Sequence, residues 1–171
     1  MYYWLIVDYL PFLCNLFQLI NESFIHSFHL KLINKTPTRI PESMFTTFNV
    51  LPHTRDTKLD GWKVDKLGEL LQANQFDMQA RRGNAHQQGI LDGFEYAFGG
   101  ERIRIRSVDA GIAITGKPTG FPCPFDTPDL TYGISTMLVN NLWGVNYIMW
   151  YPFEEGDENL LFRYVIEVGK E

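Results

Sequence analysis

This 171-residue sequence has little cysteine and few basic residues, and it has no glycine before Gly61. Cys14 and Cys123 are the only cysteines, too few for a disulfide framework or for a thiolate zinc site. Lys and Arg number 15 against 20 Asp and Glu, which gives a formal net charge of −5. Such a chain lacks the basic face that neutralises phosphates, so we expect no nucleic-acid partner.

The N-terminal residues also lack a long uncharged run and a basic leader. Asp8 and Glu22 leave only Tyr9 to Asn21 uncharged between them, shorter than the roughly 18 residues of a transmembrane helix. A secretory signal begins with basic residues, and none precedes Lys31. We therefore expect neither a cleavable signal peptide nor a membrane partner, and the cellular location stays open.

Residues 1–38 differ in composition from residues 39–171, because no glycine occurs before Gly61 and no alanine before Ala73. We treat residues 1–38 as an apolar arm and residues 39–171 as the domain, joined through Pro37 and Pro41. Three interpretations of the arm compete: a segment foreign to the domain, an amphipathic helix, or a membrane anchor. Apolar residues at steps of three and four support the helix: Leu13, Phe17, Ile20, Phe24 and Phe28.

The rest of the chain has the pattern of an all-β fold. Aromatic residues make up 15% of the sequence, which favours sheets. Alternation and turn signals predict strands over residues 43–51, 94–98, 101–108, 132–140, 145–151 and 160–168. Residues 62–68 predict a short strand that runs into a turn. The Gly- and Pro-rich stretch from Gly111 to Pro128 predicts one long irregular loop. Without a convincing long helix after residue 41, we expect an antiparallel β-sandwich.

The clearest strand is the one over residues 101–108. Ile103 and Ile105 alternate with three arginines, so the two isoleucines should be buried and the arginines should face the other way. Gly99 and Gly100 precede this strand and favour a hairpin turn with positive φ.

Signals for catalysis are weak. No two histidines of the domain have metal-ligand spacing, and no Gly-x-Ser-x-Gly motif is present. Cys123 lies between two prolines without a histidine nearby in sequence. Asp65, Asp92, Glu95 and Asp109 are candidate acid/base carboxylates if the fold brings them together. Asp109 is the most notable because it follows a strand, and the alternative is that it starts a turn. We expect no catalytic residue, metal or cofactor in this chain.

Two polar clusters have chemistry suited to sugars. Residues 81–89 are rich in amide and guanidinium groups, and residues 140–147 combine three asparagines with Trp143. Amides bind hydroxyl groups, and aromatic rings pack on the C–H faces of sugars. The alternative is that the asparagines fix a turn and that Trp143 fills the core. The candidate substrate-binding residues are Asn84, His86, Asp109, Asn140, Asn141, Trp143 and Asn146.

The second cluster resembles a known motif. Asn140-Asn141-Leu142-Trp143-Gly144-Val145-Asn146-Tyr147 is similar to the Asn-Asn-x-Trp-x-Thr-Asn-Phe/Tyr pattern of family 38 glycoside hydrolases, the α-mannosidase type, with Val145 in place of the usual Thr. An uncharacterised family-38-like branch is more similar still. The segments that carry that resemblance are Pro41-Glu42 with Phe48, Lys66-Leu67-Gly68, Arg82-Gly83-Asn84 and Phe162-Arg163-Tyr164.

This resemblance covers roughly residues 39–171 and leaves out the arm. It implies a C-terminal β-sandwich of the galactose-mutarotase-like kind. In complete family members a separate α/β barrel carries the metal and the catalytic Asp, and the sandwich packs against that barrel. The resemblance therefore implies an accessory module that is not active alone, with the absent barrel as partner and carbohydrate as ligand. The competing hypothesis is a free-standing structural or interaction domain without sugar affinity.

Overall fold

Two antiparallel β-sheets form the described part of the protein. The computed structural model describes residues 4–9, 12–18, 24–36, 42–51, 61–74, 85–120, 123–124, 126–141 and 154–170. Their strands are β1 (Trp4–Tyr9), β2 (Phe12–Gln18), β3 (Phe24–Leu32), β4 (Glu42–Leu51), β5 (Trp62–Lys66), β6 (Glu69–Gln72), β7 (Gln87–Gly89), β8 (Gly93–Phe98), β9 (Glu101–Ser107), β10 (Ile112–Thr115), β11 (Ile134–Asn141) and β12 (Leu160–Lys170).

Six strands of each sheet lie within the described ranges. Sheet 1 has the order β2-β1-β4-β11-β10-β7, and sheet 2 has the order β3-β12-β9-β8-β5-β6. A short 3-10 helix, Leu130–Tyr132, precedes β11. Within the described residues, no helix is long and apolar enough to cross a membrane. The predicted all-β sandwich is confirmed.

An aromatic cluster fills the space between the sheets. Phe48 of sheet 1 lies 5.1 Å from Tyr164 and 5.6 Å from Phe94 of sheet 2, measured between ring centroids. Trp62 lies 5.1 Å from Tyr96. Most inward-facing residues of β5, β8, β9 and β12 contribute to this core, because alternate side chains of a strand point to the same face. The outward faces are left for polar residues.

The alternation predicted for β9 is confirmed. Ile103 and Ile105 are buried in the core, while Arg102, Arg104 and Arg106 lie on the opposite face of sheet 2. The predicted hairpin turn is also confirmed. Gly99 and Gly100 join β8 to β9 with φ values of 62° and 80°.

The helical interpretation of the arm is wrong over its described residues, which form β1, β2 and β3. β3 pairs with β12 from Leu32↔Leu160 to Phe24↔Val168, and β1 pairs with β4. Aromatic and β-branched residues suit strands, and the edges of β4 and β12 supply main-chain partners that an isolated helical stripe would not have. Strand pairing therefore joins the arm to both sheets.

The predicted loop from Gly111 to Pro128 is wrong over its first part, because Ile112–Thr115 forms β10 and pairs with both β7 and β11. Flanking glycines at 111 and 116 obscure a four-residue strand whose side chains are mostly buried. β6 has four residues and β7 has three, and the sequence pattern predicts neither strand. The strand predicted over residues 145–151 lies outside the described residues.

Candidate functional site

Asn140 and Asn141 end β11 and pair with the beginning of β4. Asn140 is opposite Ser43, and Asn141 is opposite Glu42. The register shifts between Met137 and Val139, where β11 has one extra residue. After this bulge, the side chains at the end of the strand point to the opposite faces from those that strict alternation would give. Asn141 then shares the inward face with Val139, while Asn140 faces outward. The side-chain amides of Asn140 and Asn141 therefore lie on opposite faces of sheet 1.

The two asparagine side chains have different surroundings. The Ser43 hydroxyl donates to Asn140 Oδ1 over 3.1 Å, at an exposed position. The side chain of Asn141 is buried, at 4% exposure, and its Nδ2 has no hydrogen-bond partner among the described residues. A buried amide donor without an acceptor is costly, by about 1–3 kcal/mol. A ligand oxygen at this position would remove that cost.

Lys35 adds a charged pair at the same end of the sheet. Its ammonium group donates to the Glu42 carboxylate and to Thr36 O, the latter over 3.3 Å. Its backbone N–H donates to Glu158 O over 2.9 Å, which fixes the segment after β3 to the turn before β12. We call the set of Lys35, Glu42, Ser43, Asn140 and Asn141 the asparagine end. The asparagine end contains ammonium, carboxylate, hydroxyl and amide groups where β4 begins and β11 ends.

Asp109 lies in the bend after β9, and its carboxylate is engaged by Arg163 of β12. Arg163 donates its backbone N–H over 2.8 Å and Nε over 2.9 Å to Oδ2, and Nη2 over 2.7 Å to Oδ1. The Arg163 guanidinium, outweighing a smaller opposing effect of burial, lowers the pKa of Asp109. Both carboxylate oxygens thus bind within the protein, a geometry that fits the turn interpretation of Asp109.

His86 lies far from the asparagine end. Its buried ring places Nε2 2.9 Å from Asp126 Oδ1 and 3.0 Å from Asp126 O. Its carbonyl accepts from the N–H of Thr115, which pairs with Ile134 at the start of β11. Asn141 is at the other end of that strand, about 20 Å away at the usual rise per residue. His86 therefore fixes the Pro-rich loop rather than joining the asparagines.

The structure brings together only part of the predicted set. Asn140 and Asn141 adjoin each other, Asp109 and His86 have partners of their own, and Asn84, Trp143 and Asn146 lie outside the described residues. Sequence reasoning missed Lys35, Glu42 and Ser43 as members of the asparagine end. In the sequence, Glu42 stands out only within the Pro41-Glu42 motif, because strand register decides its neighbours and cannot be read from spacing.

A metal centre finds no support in the described ranges, where no group of three His, Cys, Asp or Glu side chains could hold an ion. Comparison with known proteins adds no relative: no family model, no curated protein and no solved structure matches this chain.

Proposed function

We propose that this protein is a carbohydrate-binding β-sandwich module that corresponds to the C-terminal region of a family-38-like glycosyl hydrolase and does not hydrolyse glycosides alone. The buried Asn141 amide, which has no partner in the described part of the chain, is the observation that carries the proposal. It lies in the motif on which the resemblance rests. An all-β sandwich is also the architecture that the resemblance implies.

The chemistry of the asparagine end supports a hydroxyl-rich ligand. Asn141 Nδ2, on the inward face at the end of β11, would donate to a sugar oxygen, whereas the Ser43 hydroxyl and the Asn140 amide lie on the outward face and do not contact the same sugar ring. Glu42 and Lys35 neutralise each other, so the site attracts no particular charge. A neutral ligand that both donates and accepts hydrogen bonds fits this set better than an anion does.

Within this proposal, a barrel partner would supply the catalytic groups, and the sandwich would complete the sugar site. The purified chain should therefore leave an aryl α-mannoside intact. Hydrolysis that survives removal of contaminating enzymes and disappears in Asp109→Asn would contradict the proposed role and would return Asp109 to the candidate catalytic residues.

A glycan array followed by calorimetric titration tests the binding. Asn141→Ala should weaken sugar binding at least tenfold without lowering the melting temperature, since the amide donor that it removes has no partner in the described part of the fold. Asn74→Ala, in the exposed turn after β6, is the matched control and should bind normally. An array with no bound glycan would refute the proposal and favour a structural or interaction domain.

A further inference from the structure

The outer edge of β3 is long, and no other described strand pairs with it. β3 is the last strand of sheet 2 and pairs with β12 over nine residues without a register shift. Proteins usually protect such an edge with proline, a bulge or a short strand, because its N–H and C=O groups can pair with another chain. β3 has no proline and no bulge, and Lys31 is its only lysine, arginine or acidic residue. This edge is therefore suited to a partner strand.

The two sheets end together on this side of the sandwich. Phe48 is on β4, the third strand of sheet 1, and its ring packs against Tyr164 and Phe94 of β12 and β8, the second and fourth strands of sheet 2. β4 thus lies over β9, the strand between them, and by the same count β2 lies over β3. At the other side, Lys66 of β5 donates to Gln88 of β7. A second molecule can therefore approach β3 without meeting an overhanging strand of sheet 1.

The outward face of β3 has an exposed isoleucine at each end. Ile25 is 74% exposed, and Ile33, which directly follows the strand, is 70% exposed. Three exposed polar residues lie between them on this face: Ser27, His29 and Lys31. The backbone N–H of Asn34 donates to Asn159 Oδ1 over 3.2 Å, which holds the chain at Ile33 beside the beginning of β12. A partner at this edge would cover both isoleucines and remove their apolar surface from water.

A second copy of β3 in antiparallel pairing matches this row of side chains. Positions 25 and 33 are equally distant from position 29, so a two-fold axis through His29 places Ile25 of each copy opposite Ile33 of the other. Ser27 of each copy is then opposite Lys31 of the other, and neither lysine meets a like charge. Apolar pairs directly opposite each other stabilise a sheet, whereas like charges there destabilise it. The row is therefore complementary to itself.

We infer that the β3 edge is a homodimer interface, in which two copies pair their β3 strands antiparallel about a two-fold axis through His29. Sheet 2 then continues from one molecule into the other. The same surface is used on both copies, so the pair is closed and leaves no β3 edge for a third chain. The inference concerns assembly and goes beyond the proposed function, because it does not depend on carbohydrate binding.

Sedimentation velocity of the full chain over a range of concentrations tests the dimer. Ile25→Glu should raise the dissociation constant at least tenfold, because it places a carboxylate against Ile33 of the other copy. Leu91→Glu makes the same change at a residue that is 68% exposed before β8, and should change the constant less than twofold. Melting temperatures of dilute samples separate a loss of fold from a loss of pairing. A full chain that stays monomeric throughout, or equal weakening by both variants, would overturn the interface.

Single cysteines test the register. Residues opposite each other in an antiparallel pair have Cα atoms about 4.5–5.5 Å apart, within the range that a disulfide spans. His29→Cys should therefore cross-link to itself on mild oxidation, with the unchanged chain as the baseline for its native cysteines. Ser27→Cys should not, because its two copies would be about 13 Å apart, but it should cross-link when mixed with Lys31→Cys. Cross-linking of Ser27→Cys to itself in place of His29→Cys would overturn the assigned pairing.

Discussion

At the scale of single residues, Tyr164 joins the two sheets with both its ring and its hydroxyl. The ring packs edge-on against Phe48, and the hydroxyl lies 2.6 Å from Thr136 Oγ1 of sheet 1. Both residues are fully buried. Burial, the main influence, raises the pKa of Tyr164, so the phenol stays neutral and able to donate at physiological pH.

Removal of that hydroxyl tests the cross-sheet hydrogen bond. Tyr164→Phe should lower the free energy of unfolding by about 1–3 kcal/mol, because it leaves the Thr136 hydroxyl buried without this partner. Tyr132→Phe changes a half-exposed tyrosine and should have little effect. In urea denaturation, Thr136→Val combined with Tyr164→Phe should cost less than the sum of the single changes. Strict additivity would show that the two hydroxyls do not interact.

The ion pair between Asp109 and Arg163 predicts an acid-dependent loss of stability. The hydrogen bond from Arg163 holds the pKa of Asp109 below its ordinary value of 3.8. The ion pair therefore contributes its full stabilisation above the ordinary pKa of Asp109. That stabilisation is lost as pH falls through the lower pKa of the folded state. Asp109→Asn should flatten the decline of melting temperature below about pH 4, whereas exposed Glu155→Gln should preserve it. An unchanged profile in Asp109→Asn would contradict this assignment.

At the scale of elements, the turn between β8 and β9 requires a residue with positive φ at Gly99. Gly99 has φ of 62°, and a methyl group added there would meet no atom within 4 Å. Gly99→Ala should therefore cost about 1–2 kcal/mol through the left-handed conformation alone. Gly111→Ala, in equally open space, lacks positive φ and should be nearly neutral. Equal melting temperatures of the two variants would show that the turn tolerates a side chain.

The sequence predicts a strand well where the alternation of apolar and polar residues within that one segment is long enough to identify it. β9 and β12 alternate over enough residues to show which face is buried, and Gly99-Gly100 marks the turn between β8 and β9. β10 is only four residues long, too short to show the alternation of a strand. The apolar residues of β3 recur at helical spacing, and its strand conformation depends on pairing with β12. The inward position of Asn141 follows from the register shift in β11, and the burial of Glu95 on β8 follows from its position between β5 and β9. Those features depend on pairing, which spacing along one chain does not specify.

At the scale of the whole molecule, the N-terminal strands decide whether the sandwich is complete. β3 is the edge strand of sheet 2 next to β12, and Leu32 lies in the core while Phe28 and Leu30 pack against it. The Phe28 ring is 5.9 Å from that of Tyr164. Burial of three such side chains contributes about 5 kcal/mol, comparable with the total stability of many domains.

Two truncations separate the contribution of β3 from that of the preceding strands. Deletion of residues 1–36 removes β3, exposes the long edge of β12 and opens the core beside Tyr164, so the chain should lose its cooperative thermal transition and self-associate. Deletion of residues 1–23 retains β3 and leaves β4 paired with β11, so a cooperative transition should remain at a lower temperature. Circular dichroism melting and sedimentation velocity of the two truncations and the full chain give the comparison. If the chain without residues 1–36 melts as a monomer at the full-length temperature, those residues add nothing to the fold, and the interpretation of a foreign segment gains support. If both truncations fail to melt cooperatively, β1 and its pairing with β4 are as necessary as β3.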